Sequence, residues 1–262
     1  MSAATVLRNI WAIARTGRVP SRRALASLAK VHGRGLTRHW PFLPRSHAGD
    51  LNFDDLLELQ HARSQSDCVI VVGAYDGVEN DPLANFIRKH VCRGILLEPQ
   101  PAIFARLREN IGCLPGLELV NAAVAQASGA LPLFYVPAGI EGLPHWVTQL
   151  ASFSREHIVG HEDRAPGVSR HIATLTVDTL SFDDLLDRYQ LPAIDVLQID
   201  AEGMDALLLS WFPFERIRPG LIHYEISHIG VVDLERARAR LRGFGYTLFP
   251  TESRLDEIAV LL

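Results

Sequence analysis

The 262-residue chain has few cysteines, few lysines and no long apolar run. Its three cysteines, Cys68, Cys92 and Cys113, are odd in number and widely spaced. No CxxC pair and no Cys/His metal spacing occurs, which argues against a disulfide framework or a structural zinc site. Reduced, mostly buried thiols in a cytoplasm-like compartment are expected instead. No stretch reaches the roughly 18 apolar residues that a membrane-spanning helix needs. Arg8 and Arg15 leave too short an apolar segment between them for a signal peptide. Acid is missing too, but only locally. Residues 1–49 hold nine Lys/Arg and no Asp/Glu, so the rest of the chain sets 17 Lys/Arg against 30 acids, a balance of −13. An acidic body speaks against generic nucleic-acid binding.

What is present begins with that basic segment. Residues 1–48 read as a basic N-terminal helical extension, and 49–262 as a single domain with an insertion near 130–175 on the substrate side. Val6, Ile10, Ile13 and Ala14 share one helical face beside Trp11. Arg15, Arg18, Arg22, Arg23, Lys30, Arg34 and Arg38 supply charge. Three readings stand open: a helix packed on the body, an interfacial helix drawn to anionic lipid, and an organelle transit peptide.

From Cys68 the pattern alternates between strand and helix. CVIVVG (68–73) is a run expected of a strand buried on both faces, and GILLEP (94–99) and DVLQID (195–200) are expected to be buried strands. LELVNAAV (117–124) is expected to be a strand that runs into a loop, and GLIHYEI (220–226) a strand. Helices are expected over 80–90, 102–111, 181–189, 204–211 and 234–244. Asp54–Arg63 is expected to be a short helix leading into the body. Strand-like 131–137 and 171–180 flank an irregular stretch with a short helix near Ser154–Val159. YTLFP (246–250) and EIAVLL (257–262) can close the sheet as a hairpin. Such alternation predicts an α/β fold, a mostly parallel sheet with helices on both faces.

In an open sheet of this kind, ligands sit beyond the carboxyl ends of the strands. Gly73 and Gly77, in VVGAYDG, permit a sharp turn and close approach of the backbone. The loop is not GxGxxG. Glu98 ends the second strand about twenty residues on, where a carboxylate can accept two hydrogen bonds from a ribose diol. Asp200 and Glu202, in DVLQIDAEG, put two carboxylates at the same face. They suit proton abstraction or a cation, and the bland alternative is that one caps the following helix.

The set VVGAYDG (71–77), GILLEPQPAIFARLRENI (94–111), VNAAV (120–124), TVDTL (176–180), DVLQIDAEGMDALLL (195–209) and IHYEISH (222–228) resembles the FkbM family of methyltransferases. The resemblance implies a class I, Rossmann-like methyltransferase fold and S-adenosyl-L-methionine as cofactor. It implies O-methylation of a hydroxyl on a sugar, glycolipid or natural product. Carried over by position, Gly73, Ala74, Asp76 and Gly77 would line the methionine end of the cofactor. Glu98, with Pro99 beside it, would hold the ribose, and Asn121, Ala122 and Ala123 would flank the adenine. Asp200, Glu202, Glu225 and His228 would face the reacting centre. The chain departs from the family at Val71, where an acid is usual, and at Tyr75, where Asn is common.

Those departures keep open a catalytically inactive cofactor-binding or scaffold protein of the same fold. A nicotinamide oxidoreductase would share the Gly loop and the strand-end acid, but the third glycine and a Tyr-x-x-x-Lys pair are missing. A nucleic-acid methyltransferase would need an Asn/Asp-Pro-Pro-aromatic motif, which is also missing. His228 is the expected general base, because its ordinary pKa lies near neutrality, and His223 is expected to be a packed core residue. No metal is expected, since no oxygen-rich loop is apparent. The segment 137–171, with Trp146, Ser152, Phe153, Ser154, Arg155, His157 and His161, is expected to shape the acceptor pocket. A small-molecule or glycan acceptor and a cytoplasmic location, with peripheral membrane contact through the basic segment, complete the expectations.

Overall fold

The computed structural model describes residues 53–64, 67–79, 81–251 and 253–261. The basic extension read at residues 1–48 lies outside the described residues, as does Asn80. The chain divides into two compact units, 1–65 and 66–262. In the first, helix α1 spans Phe53–Ser64, close to the Asp54–Arg63 expected.

The second unit is built on a seven-stranded sheet. In chain order its parts are β1 (Cys68–Val72), α2 (Ala84–His90), β2 (Arg93–Leu97), α3 (Pro101–Ile111) and β3 (Leu117–Val120). Next come β4 (Ala123–Val124), β5 (Gly129–Tyr135), β6 (Ala151–Ser152), α4 (Arg155–Val159) and β7 (Ala173–Leu180). Last are α5 (Phe182–Tyr189), β8 (Val196–Ile199), α6 (Asp205–Trp211), β9 (Leu221–Glu225), α7 (Val231–Gly243), β10 (Tyr246–Pro250) and β11 (Asp256–Leu261). The large sheet runs β10-β11-β9-β8-β1-β2-β3. Strands β9, β8, β1, β2 and β3 are parallel, while β11 runs antiparallel between β9 and β10. This is the mostly parallel, class I Rossmann-like fold expected, with the closing hairpin in place.

The buried apolar runs explain the sheet. All five residues of β1 and all four of β8 are buried. One face of the central strands carries Ile70, Val72, Ile95, Leu97, Leu197, Ile199, Ile222 and Tyr224 into a single core. Phe182, Phe212, Phe214 and Leu241 from the covering segments complete it. At about 25 cal/mol per Å² of apolar surface, burial of this kind is the main stabilising force on the domain. Cys68 and Cys92 are buried, as expected of thiols in such runs, and Cys113 is exposed.

Three expectations on the elements are refined. The strand read at 117–124, running into a loop, ends early. It breaks after Val120, because the Asn121 side chain donates to the carbonyls of Glu98 and Pro99 and draws the chain aside. The stretch read as an irregular insertion is a second sheet of order β4-β7-β5-β6. Its long pair, β5 with β7, is antiparallel over seven residue pairs. The helix expected over 80–90 begins only at Ala84. Pro82 precedes it, and Asp81 Oδ1 accepts from the Leu83 amide at 2.8 Å in a local turn. Among the described residues no helix is long and apolar enough to cross a membrane.

Candidate active-site cleft

The chain order reverses between β1 and β8: β2 and β3 lie to one side, β9 to the other. Beyond the carboxyl ends of these strands opens a cleft of about 880 Å³, solvent at its mouth included. The second sheet forms part of its wall through Ala123, Val124, Leu133, Ser152 and Phe153.

The loop after β1 is fixed by close approach. Gly73 has φ +80°, and a Cβ there would lie 1.8 Å from the Asp200 carbonyl oxygen. Only glycine fits where β1 and β8 deliver their ends side by side. Gly73 and Ala74 donate their amides to the Leu97 carbonyl at 3.0 and 2.9 Å, tying the loop to β2. Tyr75 adopts φ +46°, a left-handed conformation that Asn tolerates better than Tyr. That geometry aims its amide at Glu98 Oε2, 3.1 Å away. Its hydroxyl meets Thr148 Oγ1 at 3.0 Å, linking the loop to the turn before β6.

Glu98 is buried on the cleft wall. Its oxygens accept from the Tyr75 amide and, at 2.8 Å, from the Gln100 amide. Burial pushes its carboxyl up to about 8, and the two amides only partly offset this. Asp200 is exposed to the cleft. Desolvation by the surrounding protein, then Glu202, Glu225, Asp256 and Asp81, raises its carboxyl above the usual carboxylate range. Glu225 rises to about 7, chiefly by burial.

Of the residues read from the sequence, Gly73, Ala74, Glu98, Pro99, Ala122, Ala123, Asp200 and Glu202 line the cleft. Asp76, Gly77, Asn121, Glu225 and His228 are not on its wall. Asp76 is buried in its own loop, accepting from the Val78 and Glu79 amides and pairing with Arg106. Gly77 packs on α3, where a Cβ would stand 2.8 Å from Leu107. Asn121 positions the Glu98–Pro99 turn rather than lining it. The Glu225 amide donates to Asp205 Oδ1 at 3.1 Å.

His228 lies beside Glu225, Nε2 to Oε1 3.5 Å, in a cluster with His157 and His161. Burial, then His157, lowers its pKa, and burial followed by His228 takes His161 down to about 4. His157 Nε2 is 2.9 Å from Glu202 Oε2. His223 is buried within β9, as read.

The sequence reading missed four polar residues. Asp81, Gln149 and Gln198 line the cleft, and Asp81 Oδ2, Gln149 Nε2 and Gln198 Oε1 are buried without a hydrogen-bond partner. A polar ligand with both donors and an acceptor would satisfy them. Gln198 could have been noticed as the one polar residue inside an apolar strand. Asp205 is the fourth. Fully buried, it accepts from the amides of Ala201 at 3.4 Å and Glu225 at 3.1 Å. It thereby joins the loops after β8 and β9.

Residues 72–248 match the family model for the methyltransferase FkbM domain. Among solved structures, the methyltransferase FkbM from Methylobacillus flagellatus KT shares 14% identity at a TM-score of 0.46. That alignment covers 81% of this chain and 47% of the other, so this chain spans about half its length. The precorrin-6y C5,15-methyltransferase from Geobacter metallireducens GS-15 also shares 14% identity, with a TM-score of 0.36 and coverage of 76% and 74%. No curated protein matches.

Proposed function

The chain belongs to the FkbM-domain methyltransferase family, and from that premise we propose that it moves a methyl group from S-adenosyl-L-methionine to a hydroxyl on a sugar, glycolipid or natural product. The observation that carries the cofactor assignment is the donor and acceptor set of the cleft. Glu98 keeps free lone pairs for a ribose diol after accepting two amides. Asp81 Oδ2 and Gln198 Oε1 are orphaned acceptors that suit an ammonium group, and Gln149 Nε2 is an orphaned donor that suits a carboxylate. Those are the polar ends of S-adenosylmethionine. The departure at Val71 fits this reading. Val71 is a fully buried strand residue paired in register with Gln198, so the polar wall is supplied one strand over, with Asp81.

The cofactor, when bound, supplies an electrophilic methyl group. The protein's part is to position the acceptor and remove its proton. Asp200 is assigned the base, because it faces the cleft and its raised proton affinity makes it a stronger base than an exposed carboxylate. Glu202 is assigned to the acceptor side with Phe153 and Ser152. His228 and Glu225 support that side from behind the wall. The basic segment 1–49 is read as a peripheral contact with anionic membrane, which would bring the cleft to a lipid-linked acceptor.

The test is ligand binding followed by turnover. S-adenosylmethionine or its demethylated product should raise the melting temperature, since a ligand of the native state stabilises it by mass action. NADH should not. Labelled cofactor with a cell extract should then mark the acceptor. No calorimetric heat and no thermal shift with the cofactor, against a shift with NADH, would remove the assignment. Binding without turnover on any acceptor would favour the scaffold reading.

A further inference from the structure

We propose that His157, His161 and His228 form a binding site for one divalent transition-metal ion of the zinc type. Their ligand nitrogens all lie within 4.8 Å of one another. The three rings stand edge to face, with centroids 4.7–5.1 Å apart. Zinc–nitrogen bonds of about 2.0–2.1 Å put tetrahedral ligands roughly 3.3 Å apart, so small ring rotations close the site. A second observation points the same way. His161 is only 4% exposed, and its Nε2 has no hydrogen-bond partner. A buried polar nitrogen without a partner is costly, and coordination would satisfy it.

The surroundings suit an ion. His157 and His161 are four residues apart, one in α4 and one in the turn after it. That spacing puts two imidazoles on one face, as in other paired-histidine metal sites. Gly203, with φ +86°, lets the His157 ring approach the backbone, since a Cβ there would lie 2.7 Å from Nδ1. Glu202 Oε2, 2.9 Å from His157 Nε2, is the carboxylate that orients this ring. Trp146 packs edge-on to His161, and Val147, Leu150, Ile158 and Val168 form an apolar bed nearby. Three neutral nitrogens favour zinc, cobalt or nickel over magnesium.

The ion would join the α4 segment to the loop after β9, and Glu202 carries the effect to the cleft wall. Any effect of the ion on turnover, through Glu202, rests on the methyl-transfer reading; its binding does not. This departs from the metal-free expectation.

The test uses full-length protein dialysed against a chelator at pH 7.5, then titrated with zinc, cobalt or magnesium chloride. One zinc per chain should bind, cobalt should give a visible absorption band, and magnesium should not compete. His161→Ala and His228→Ala should each weaken zinc binding by more than the roughly 10–100-fold expected of Glu202→Gln, an outer-shell change. Both variants should still bind S-adenosylhomocysteine, which separates loss of the ion site from loss of the cofactor site. Zinc binding that is absent, or unaltered in both variants, overturns the proposal. Should the variants fail to fold, X-ray absorption of the zinc-loaded wild type counts the imidazoles directly. Three support the site, and fewer overturn it.

Discussion

Both oxygens of Glu98 accept a backbone amide, and each still has a lone pair to offer the cleft. Glu98→Ala should therefore weaken S-adenosylhomocysteine binding by about 1.5–3 kcal/mol, the scale of charge-assisted hydrogen bonds, when measured by calorimetry. An unchanged dissociation constant would make Glu98 a structural strand-end acid. The raised pKa adds a second expectation. An acid lifted from 4.5 to about 8 on folding holds its proton more tightly in the folded state. Its contribution to stability is full below about pH 4.5 and is lost as pH rises through 8. Urea unfolding of the ligand-free protein across that window should show the loss, and Glu98→Gln should flatten it. If the diol binds ionised Glu98, cofactor binding near pH 7 releases a proton. Calorimetry in two buffers of different ionisation heat reads this, and equal heats would refute it. Asp200→Asn should cost roughly 10²–10⁴ in single-turnover rate while cofactor affinity survives. Glu98, Gly73 and Asp200 were legible because each ends a run of buried residues that fixes where the strand stops. Asp76 and Asn121, read as cofactor contacts, do not line the cleft and bond protein groups instead, for a shared reason. Short polar side chains in loops bond nearby backbone, and sequence does not reveal which are already satisfied. His157 and His161 could be read only as part of a pocket-shaping segment, since their partner His228 comes from the end of β9.

At the scale of elements, the central strands β1, β2, β8 and β9 were readable to within a few residues, because they are buried on both faces and their composition says so. Of the second sheet only the strand-like runs 131–137 and 171–180 were readable, not their pairing into a sheet. Its strand β5 is mostly exposed over Gly129–Pro132 and contains Gly129 and Pro132, so it shows no continuous apolar run. Strand β4 is two residues long and gains its identity only by pairing with β7. Asp205 shows how tertiary pairing fixes function at this scale. Its carboxyl links the first turn of α6 to the end of β9, and burial beside Asp200 and Glu225 holds its pKa well above the usual range. Asp205→Ala would strand two amides, with a stability loss of about 1–3 kcal/mol expected from denaturant unfolding. The same change should lower kcat more than it raises KM, because it releases the loops carrying Asp200, Glu202 and Glu225. Wild-type stability in this variant would mean that the two loops are held by other contacts. Ser181, the N-cap of α5, accepts from the Asp184 amide. It offers a comparison far from β9, since Ser181→Ala should cost about 1 kcal/mol without touching kcat.

For the molecule as a whole, the fold class followed from the alternation of elements, whereas strand order did not, because nothing local encodes which strands become neighbours. Charge is distributed just as unevenly as sequence pattern. The nine Lys/Arg of residues 1–49 precede a remainder with a balance of −13. Every residue lining the cleft falls in the unit 66–262. Deleting residues 1–45 removes all nine cations and no cleft residue. The truncated protein should therefore bind S-adenosylhomocysteine with an unchanged dissociation constant and turn over a soluble acceptor at the full rate. Membrane contact should respond in the opposite way. A basic side chain near an anionic bilayer contributes about 1 kcal/mol, so several acting together outweigh the repulsion of the acidic remainder. Screening shortens the Debye length from about 10 Å at 0.1 M salt to about 3 Å at 1 M, so the attraction should collapse across that range. Co-sedimentation with phosphatidylserine vesicles should retain full-length protein at low salt and release it at high salt. Neutral vesicles should retain neither form, and the truncated protein should stay in solution throughout. Salt-insensitive binding would point to apolar insertion by Trp11 and its neighbours instead. Equal retention of both forms would place the membrane contact in the body and end the peripheral-anchor reading of the basic segment.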